Sequence, residues 1–326
     1  MRFVHSVLSL ALLLAASFGT PVSPALAQAY PSKPIRIVVA YAPGGSTDIA
    51  ARLIADELTQ QQGWRIIIDN RAGGGTVIGT EMVARATPDG YTLFYGTNAL
   101  VINALLQEKV PYDPVRDFAP VATVITQPLG VLVGPRLKIS SMTELIAQAR
   151  ANPGKLNFAS SGNGSLQHIA GEMLRTNAGL NVVHVPYKGA GPAMIDLLAG
   201  NVDFMITSLL GTSEHIKTGR LKFVAVTGAK RSAANPEVPT VAESGLPGYE
   251  AISWQALFAP AKTDKAIVDR LNSALRKVAG SKKLAERVAE NGMELKISSP
   301  EELRELIVKE QKKYATIVKR TGAKVE

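Results

Sequence analysis

The sequence has no cysteine among its 326 residues and only four histidines. Without thiols there is no disulfide, no thiolate nucleophile and no cysteine metal site. The histidines are His5, His168, His184 and His215. None falls in an H-E-x-x-H pattern or in a close pair with metal-ligand spacing, so no metal and no cofactor is expected. Enzyme signatures are missing too. There is no G-x-x-x-x-G-K-[ST] and no G-x-S-x-G. "APGGSTDIA" lacks the spacing of G-x-G-x-x-G, and "GNGSLQ" breaks it at the third glycine. Past the N-terminus no apolar run reaches the roughly 18 residues of a membrane span. No arginine-rich stretch interleaved with aromatics points to a nucleic-acid partner.

The chain opens with "MRFVHSVLSLALLLAASFGTPVSPALA". Arg2 precedes an apolar run ending near Phe18, and Ala25-Leu26-Ala27 offers small residues for cleavage. This is the layout of a secretory signal peptide over residues 1–27, with an exported, periplasmic product starting at Gln28. The whole sequence is 46% hydrophobic and 19% charged, a globular composition, and it is long enough for two lobes. The net charge is +9, with Lys and Arg spread thinly and somewhat concentrated in the last 65 residues. A mild positive field of this kind favours anionic ligands.

From Ile35 strand-like and helix-like segments alternate: "IRIVVAY", "DIAARLIADELTQ", "WRIIIDN", "VIGTEMVARA", "YTLFYG" and "TNALVINALLQ". That order predicts a parallel, doubly wound sheet. Back-to-back apolar runs, "VATVITQPLGVLVG", then carry the chain into a second lobe, where the alternation resumes. Ser141 and Glu144 form a predicted capping box, as do Ser299 and Glu302 with Pro300 at the first helical turn. "YEAISWQALFAPA" returns the chain, and three helices end it. The expected division is a first lobe at 28–127 and 253–326 with a second at 128–252. A cleft is expected at the carboxyl ends of the strands, where open α/β sheets bind ligands.

Four loops fall there. In "APGGSTD", Gly44 and Gly45 precede a helix whose first N–H groups favour an anion, with Pro43 before them and Ser46 or Thr47 expected to cap the helix. "NRAGGGTVIG" repeats the pattern with Gly73, Gly74, Gly75 and Thr76, and reads equally as a loose surface turn. "YGTNAL" offers Thr97 and Asn98 as caps that could also face the cleft. "FASSGNGSLQH" gathers Ser160, Ser161 and Ser165, with His168 one helical turn on, where a structural role is the commoner one. Asp203, at the start of the strand "VDFMITS", suggests a hydrogen bond to a loop amide more than a ligand contact. Lys188 reads as a solvated residue beside its turn.

Six segments in order resemble the solute-binding receptors of tripartite tricarboxylate transporters, the Bug family: "YPSKPIRIVVAYAPGGSTDIAAR", "NRAGGGTVIGTEMVARATPDGYTL", "YDPVRDFAPVATV", "FASSGNGSLQHIAGEML", "VPYKGAGPAMIDLLAGNVDFM" and "VPTVAESGLPGYE". Ala42 departs from the pattern, standing where many members carry a second proline or a bulkier residue. The resemblance implies two doubly wound Rossmann-like α/β lobes, like the type II periplasmic binding proteins, closing over a small carboxylate. It also implies a monomer that hands its ligand to membrane permease subunits of a secondary transporter. Ligand contacts would then fall on Tyr41 to Ser46, the loop around Gly73 to Thr76, Thr97, Asn98 and Ser160 to Ser165, through amides, hydroxyls and waters. The rival reading is a secreted serine hydrolase using Ser161 or Ser165, with His168 or His184 as the base.

Overall fold

Residues 30–323, apart from positions 108, 233, 291 and 292, are described by a computed structural model. The expected leader and its cleavage site lie outside the described residues. In chain order the first elements are β1 (Ile35–Val39), α1 (Ser46–Gln62), β2 (Ile66–Asn70), a single 3₁₀ turn (Gly74–Thr76), α2 (Val77–Ala84), β3 (Thr92–Thr97), α3 (Ala99–Leu106) and β4 (Phe118–Pro128). Next come β5 (Gly130–Val133), α4 (Met142–Ala151), β6 (Asn157–Ser160), α5 (Leu166–Ala178), β7 (Val183–Pro186), α6 (Ala190–Ala199), β8 (Phe204–Thr207), α7 (Ser213–Lys217) and β9 (Lys222–Val226). The chain ends with β10 (Ile252–Pro260), α8 (Lys265–Val278), α9 (Lys282–Ala289), β11 (Glu294–Leu295) and α10 (Pro300–Thr321).

Two sheets result, ordered β11-β4-β10-β3-β1-β2 and β7-β6-β8-β5-β9. β1 lies between β2 and β3, parallel to both, and β6 lies between β7 and β8 in the same way. Ile37, Val38 and Val39 are buried whichever way they point, because a parallel strand is covered on both faces. The expected parallel sheet is correct for these strands and incomplete for the rest. β10 runs antiparallel to β3 and β4, and β5 runs antiparallel to β8 and β9. These are the long apolar runs that pass between the sheets. A strand arriving from the other sheet has no crossover helix to reverse it, so it joins antiparallel.

Local signals explain the helix ends. Ser299 and Glu302 form the full reciprocal box at the start of α10. At α4 only half of the expected box forms: Ser141 accepts from the Glu144 N–H, while the Glu144 carboxylate reaches the Ser140 N–H at 2.7 Å. One apolar cluster takes residues from both sheets' layers, among them Leu100, Phe158, Ile169 and Tyr314. Each such side chain contributes about 1.5–3 kcal/mol when fully buried. With this core in place, the carboxyl ends of β1 and β2 come to face those of β6 and β7.

Candidate functional site

A cavity of about 180 Å³ lies where those four strand ends meet. Its wall is made of Ala40 and Tyr41 after β1, Gly73 to Thr76 after β2, Ser161 to Asn163 after β6, and Pro186 to Lys188 after β7. This is the position where open α/β sheets take ligands. Of the residues expected from sequence, Tyr41, Gly75, Thr76 and Ser161 are brought together here. Tyr187 and Lys188 join them from the turn after β7, which was not among the expected contacts.

The lining chemistry is polar and neutral. The Tyr41 hydroxyl lies 3.1 Å from Thr97 Oγ1 and also interacts with the Ser161 side chain. Burial pushes the Tyr41 hydroxyl up to about 12, against the lowering effect of those two bonds, so it remains a neutral donor. Ser161 donates to Gln167 Oε1 at 2.9 Å. Among the described residues, the N–H groups of Gly74 and Asn163 have no hydrogen-bond partner within the protein. Lys188 is exposed at the rim. Neutral donors of this kind can hold a carboxylate without the desolvation that a buried lysine or arginine would suffer.

The Gly73–Thr76 loop is left-handed throughout, ending with Thr76 at φ 91°. A β-branched residue there is strained by roughly 1–3 kcal/mol and persists only when its surroundings dictate it. Asn103 supplies that constraint. Its Nδ2 donates to the Gly75 carbonyl at 2.6 Å and to Thr76 Oγ1 at 3.1 Å. Asn103 was not expected at the site. The signal that could have found it is a lone amide in the apolar helix "ALVINALL", where its side chain is fully buried.

The first glycine loop behaves differently from expectation. α1 begins at Ser46 behind Gly45 and has no side-chain cap, so neither Ser46 nor Thr47 plays that part. Asp48 instead folds back, accepting from the Gly44 N–H at 3.0 Å and from Asn70 Nδ2 at 3.0 Å, with Arg52 beside it. Burial opposes its ionisation, but the bonds from Arg52, Gly44 and Asn70 outweigh it and hold the carboxyl below its usual range. The end of α1 thus carries an internal carboxylate. Pro43, Gly44, Gly45 and Ser46 do not line the cavity; Pro43 to Gly45 lie against Gly191 in the first turn of α6. Ala42 N–H donates to the Lys188 carbonyl at 2.9 Å. A Cβ on Gly45 would lie 3.3 Å from Gly191 N and 3.4 Å from Ala190 N.

The remaining expected residues sit behind the wall or away from it. Thr97 supports Tyr41 and accepts from the Ala99 N–H at 3.3 Å. Asn98 is buried in a network with Glu310, Tyr314 and the Trp254 N–H, tying β3 to α10. Ser160 Oγ lies 2.6 Å from His184 Nε2, and Ser165 caps α5 by accepting from the His168 N–H. His168 Nδ1 accepts from the Gly164 N–H, and its ring stacks on His184 at 4.3 Å. Burial lowers both imidazoles, His184 to about 3. Asp203 is wholly buried at the far end of β8, where it accepts from the Asn157 N–H and pairs with Arg136. The amide it meets belongs to strand β6 and not to a loop as expected, and it lies away from the cavity. Among the described residues no cluster of His, Asp or Glu is arranged for a metal ion.

A model of the tripartite tricarboxylate transporter family receptors matches residues 50–323. Protein BugT of Bordetella pertussis is 39% identical over 315 residues, covering 95% of each chain. An R. palustris protein solved with adipate is 34% identical with a TM-score of 0.87, over 91% of this chain and 100% of that one. MatC from Rhodopseudomonas palustris, solved with bound malate, is 30% identical with a TM-score of 0.84, over 89% of this chain and 100% of that one. The fold, the ordered glycine loops and these likenesses agree: the chain belongs to the tripartite tricarboxylate transporter family receptors, as a Bug-type solute-binding protein with two α/β lobes.

Proposed function

We propose that this receptor captures a small mono- or dicarboxylate, aromatic acids and amino acids included, between its lobes and delivers it to a membrane permease. The observation that carries this reading is the cavity at the meeting of four strand ends, walled by neutral donors from both sheets. Its volume of about 180 Å³ suits a small acid. The adipate and malate held by two structural relatives support the ligand class. Lobes at 28–127 with 253–326 and at 128–252 are part of the same reading.

Binding without turnover is the second half of the proposal. Ser161 and Ser165 donate to Gln167 and to the Gly162 carbonyl. His184, beside Ser160, is pushed to about 3 and is too weak a base at neutral pH. Thermal-shift screening against carboxylates, neutral sugars and peptides, followed by calorimetric titration, tests the ligand class, since a ligand of the native state raises stability by RT ln(1 + [L]/Kd). Stabilisation by carboxylates is expected. Stabilisation by sugars or peptides alone would overturn the reading, as would ester turnover lost in Ser161→Ala or Ser165→Ala.

A further inference from the structure

Asn103, on α3, touches more than the Gly73–Thr76 loop. Its Nδ2 secures Gly75 and Thr76, on the loop after β2. Its Oδ1 accepts from Gln107 at 3.2 Å and also lies against Gly164, on the loop between β6 and α5. A Cβ on Gly164 would overlap that oxygen and the rest of the carboxamide. Beside it, a Cβ on Gly75 would overlap the Asn163 carbonyl. One buried carboxamide therefore fills the gap between two cavity-lining loops that belong to different sheets.

We propose that Asn103 is a positioning residue that couples these loops: the strained Gly73–Thr76 conformation is held only while Gly164 seats against the Asn103 carboxamide. The chemistry requires both parts. An amide presents a donor to the Gly75 carbonyl, whereas aspartate would present only acceptors. A glycine at position 164 leaves the space that the amide occupies, and its φ of 74° is one that glycine adopts without strain. Any side chain at 164 must either push the loops apart or swing the carboxamide off Gly75 and Thr76. Disturbance on one sheet's loop is thus transmitted to the other's. Under the binding reading proposed above, this links the shape of the cavity to the seating of the two lobes.

Amide hydrogen exchange on the ligand-free, full-length protein tests the coupling, and needs no ligand, so it is independent of the carboxylate reading. In Gly164→Ala, exchange across residues 73–76 should be about tenfold faster, although the substitution lies on the other sheet's loop. Gly179→Ala is the control: Gly179 has a similar φ of 61° with nothing near its Cβ position. It should leave residues 73–76 unchanged. Asn103→Ser should speed exchange at both 73–76 and 161–165, and adding Gly164→Ala to it should speed 73–76 no further. Unchanged exchange at 73–76 in Gly164→Ala, or strictly additive effects in the double variant, would overturn the proposal. Should Gly164→Ala fail to fold, Asn103→Ser decides alone: unchanged exchange at 161–165 refutes the coupling.

Discussion

The loop after β1 and the loop after β2 look alike in sequence, each a run of glycines ahead of a helix, yet they do different work. The loop after β2 lines the cavity and is left-handed from Gly73 through Thr76. The loop after β1 lines none of it beyond Ala40 and Tyr41, and its Gly44 N–H is taken up by the chain's own Asp48. Its glycines let the backbone run close to Gly191 across the seam. What separates them is the partner on the other side. Ser161 and Asn163 stand opposite one loop across the cavity, touching it at Gly75, while the backbone at the start of α6 stands against the other with no cavity between.

Gly75 is where the two loops should differ most under substitution. Gly75→Val places a β-branched residue at φ 63° and drives its Cβ into the Asn163 carbonyl. Loss of all measurable binding, about 100-fold or more, is expected with circular dichroism unchanged, since strain and overpacking together cost about 3 kcal/mol. Retained affinity would remove the β2 loop from the site. Gly45→Val should have a smaller effect. Gly45 sits at φ −85°, which any residue adopts, so what opposes a side chain is the approach of its Cβ to Gly191 N at 3.3 Å and Ala190 N at 3.4 Å. A roughly tenfold weakening is expected in calorimetric titration, near the lower end of the 1–3 kcal/mol range for overpacking. An effect equal to that of Gly75→Val would erase the distinction drawn between the loops.

Asp48 offers a test through pH. Its carboxyl is held below its unfolded value, so its stabilisation is complete above about pH 4 and is lost as pH falls through the lower, folded-state pKa. Asp48→Asn should therefore lower stability at neutral pH by about 1–3 kcal/mol, the range for hydrogen bonds involving a charged group. The gap between wild type and variant should close on acidification, as read by denaturant titrations between neutral pH and pH 3. A pH-independent gap would show that Asp48 acts only by packing. The smallest effect is expected at Lys188. Because it is exposed at the rim, Lys188→Ala should change affinity by less than about threefold, within the range of a surface charge. Loss of binding there, with Ser161→Ala silent, would make this an ion-pair site.

Much of the fold was legible because its signals are local. The alternating strands and helices, the Ser299–Glu302 box and the long runs that became β4, β5 and β10 all follow from spacing along the chain. The site was only partly legible. Tyr41, Gly75, Thr76 and Ser161 could be named from loops at strand ends, because topology brings those ends together. Asn98 could not be placed, since its partners Glu310 and Tyr314 lie more than 200 residues away. Asn103 looked like an ordinary helix residue, and its meaning lies in the two loops it touches.

Taken alone, the sequence determined that the chain lacks thiol chemistry, that strands and helices alternate, and that flexible glycine loops open several helices. Hydrophobic periodicity and backbone permissiveness are properties of neighbouring residues, so they need no folded context. Which glycine loop walls a cavity, and which lets two backbones pass, was decided only by the tertiary structure. A glycine marks where a backbone can turn or approach, but what approaches it comes from the opposite sheet. Asn70 against Asp48 in the first turn of α1, and Asn103 beneath Gly75, settle that choice through contacts between residues distant in sequence.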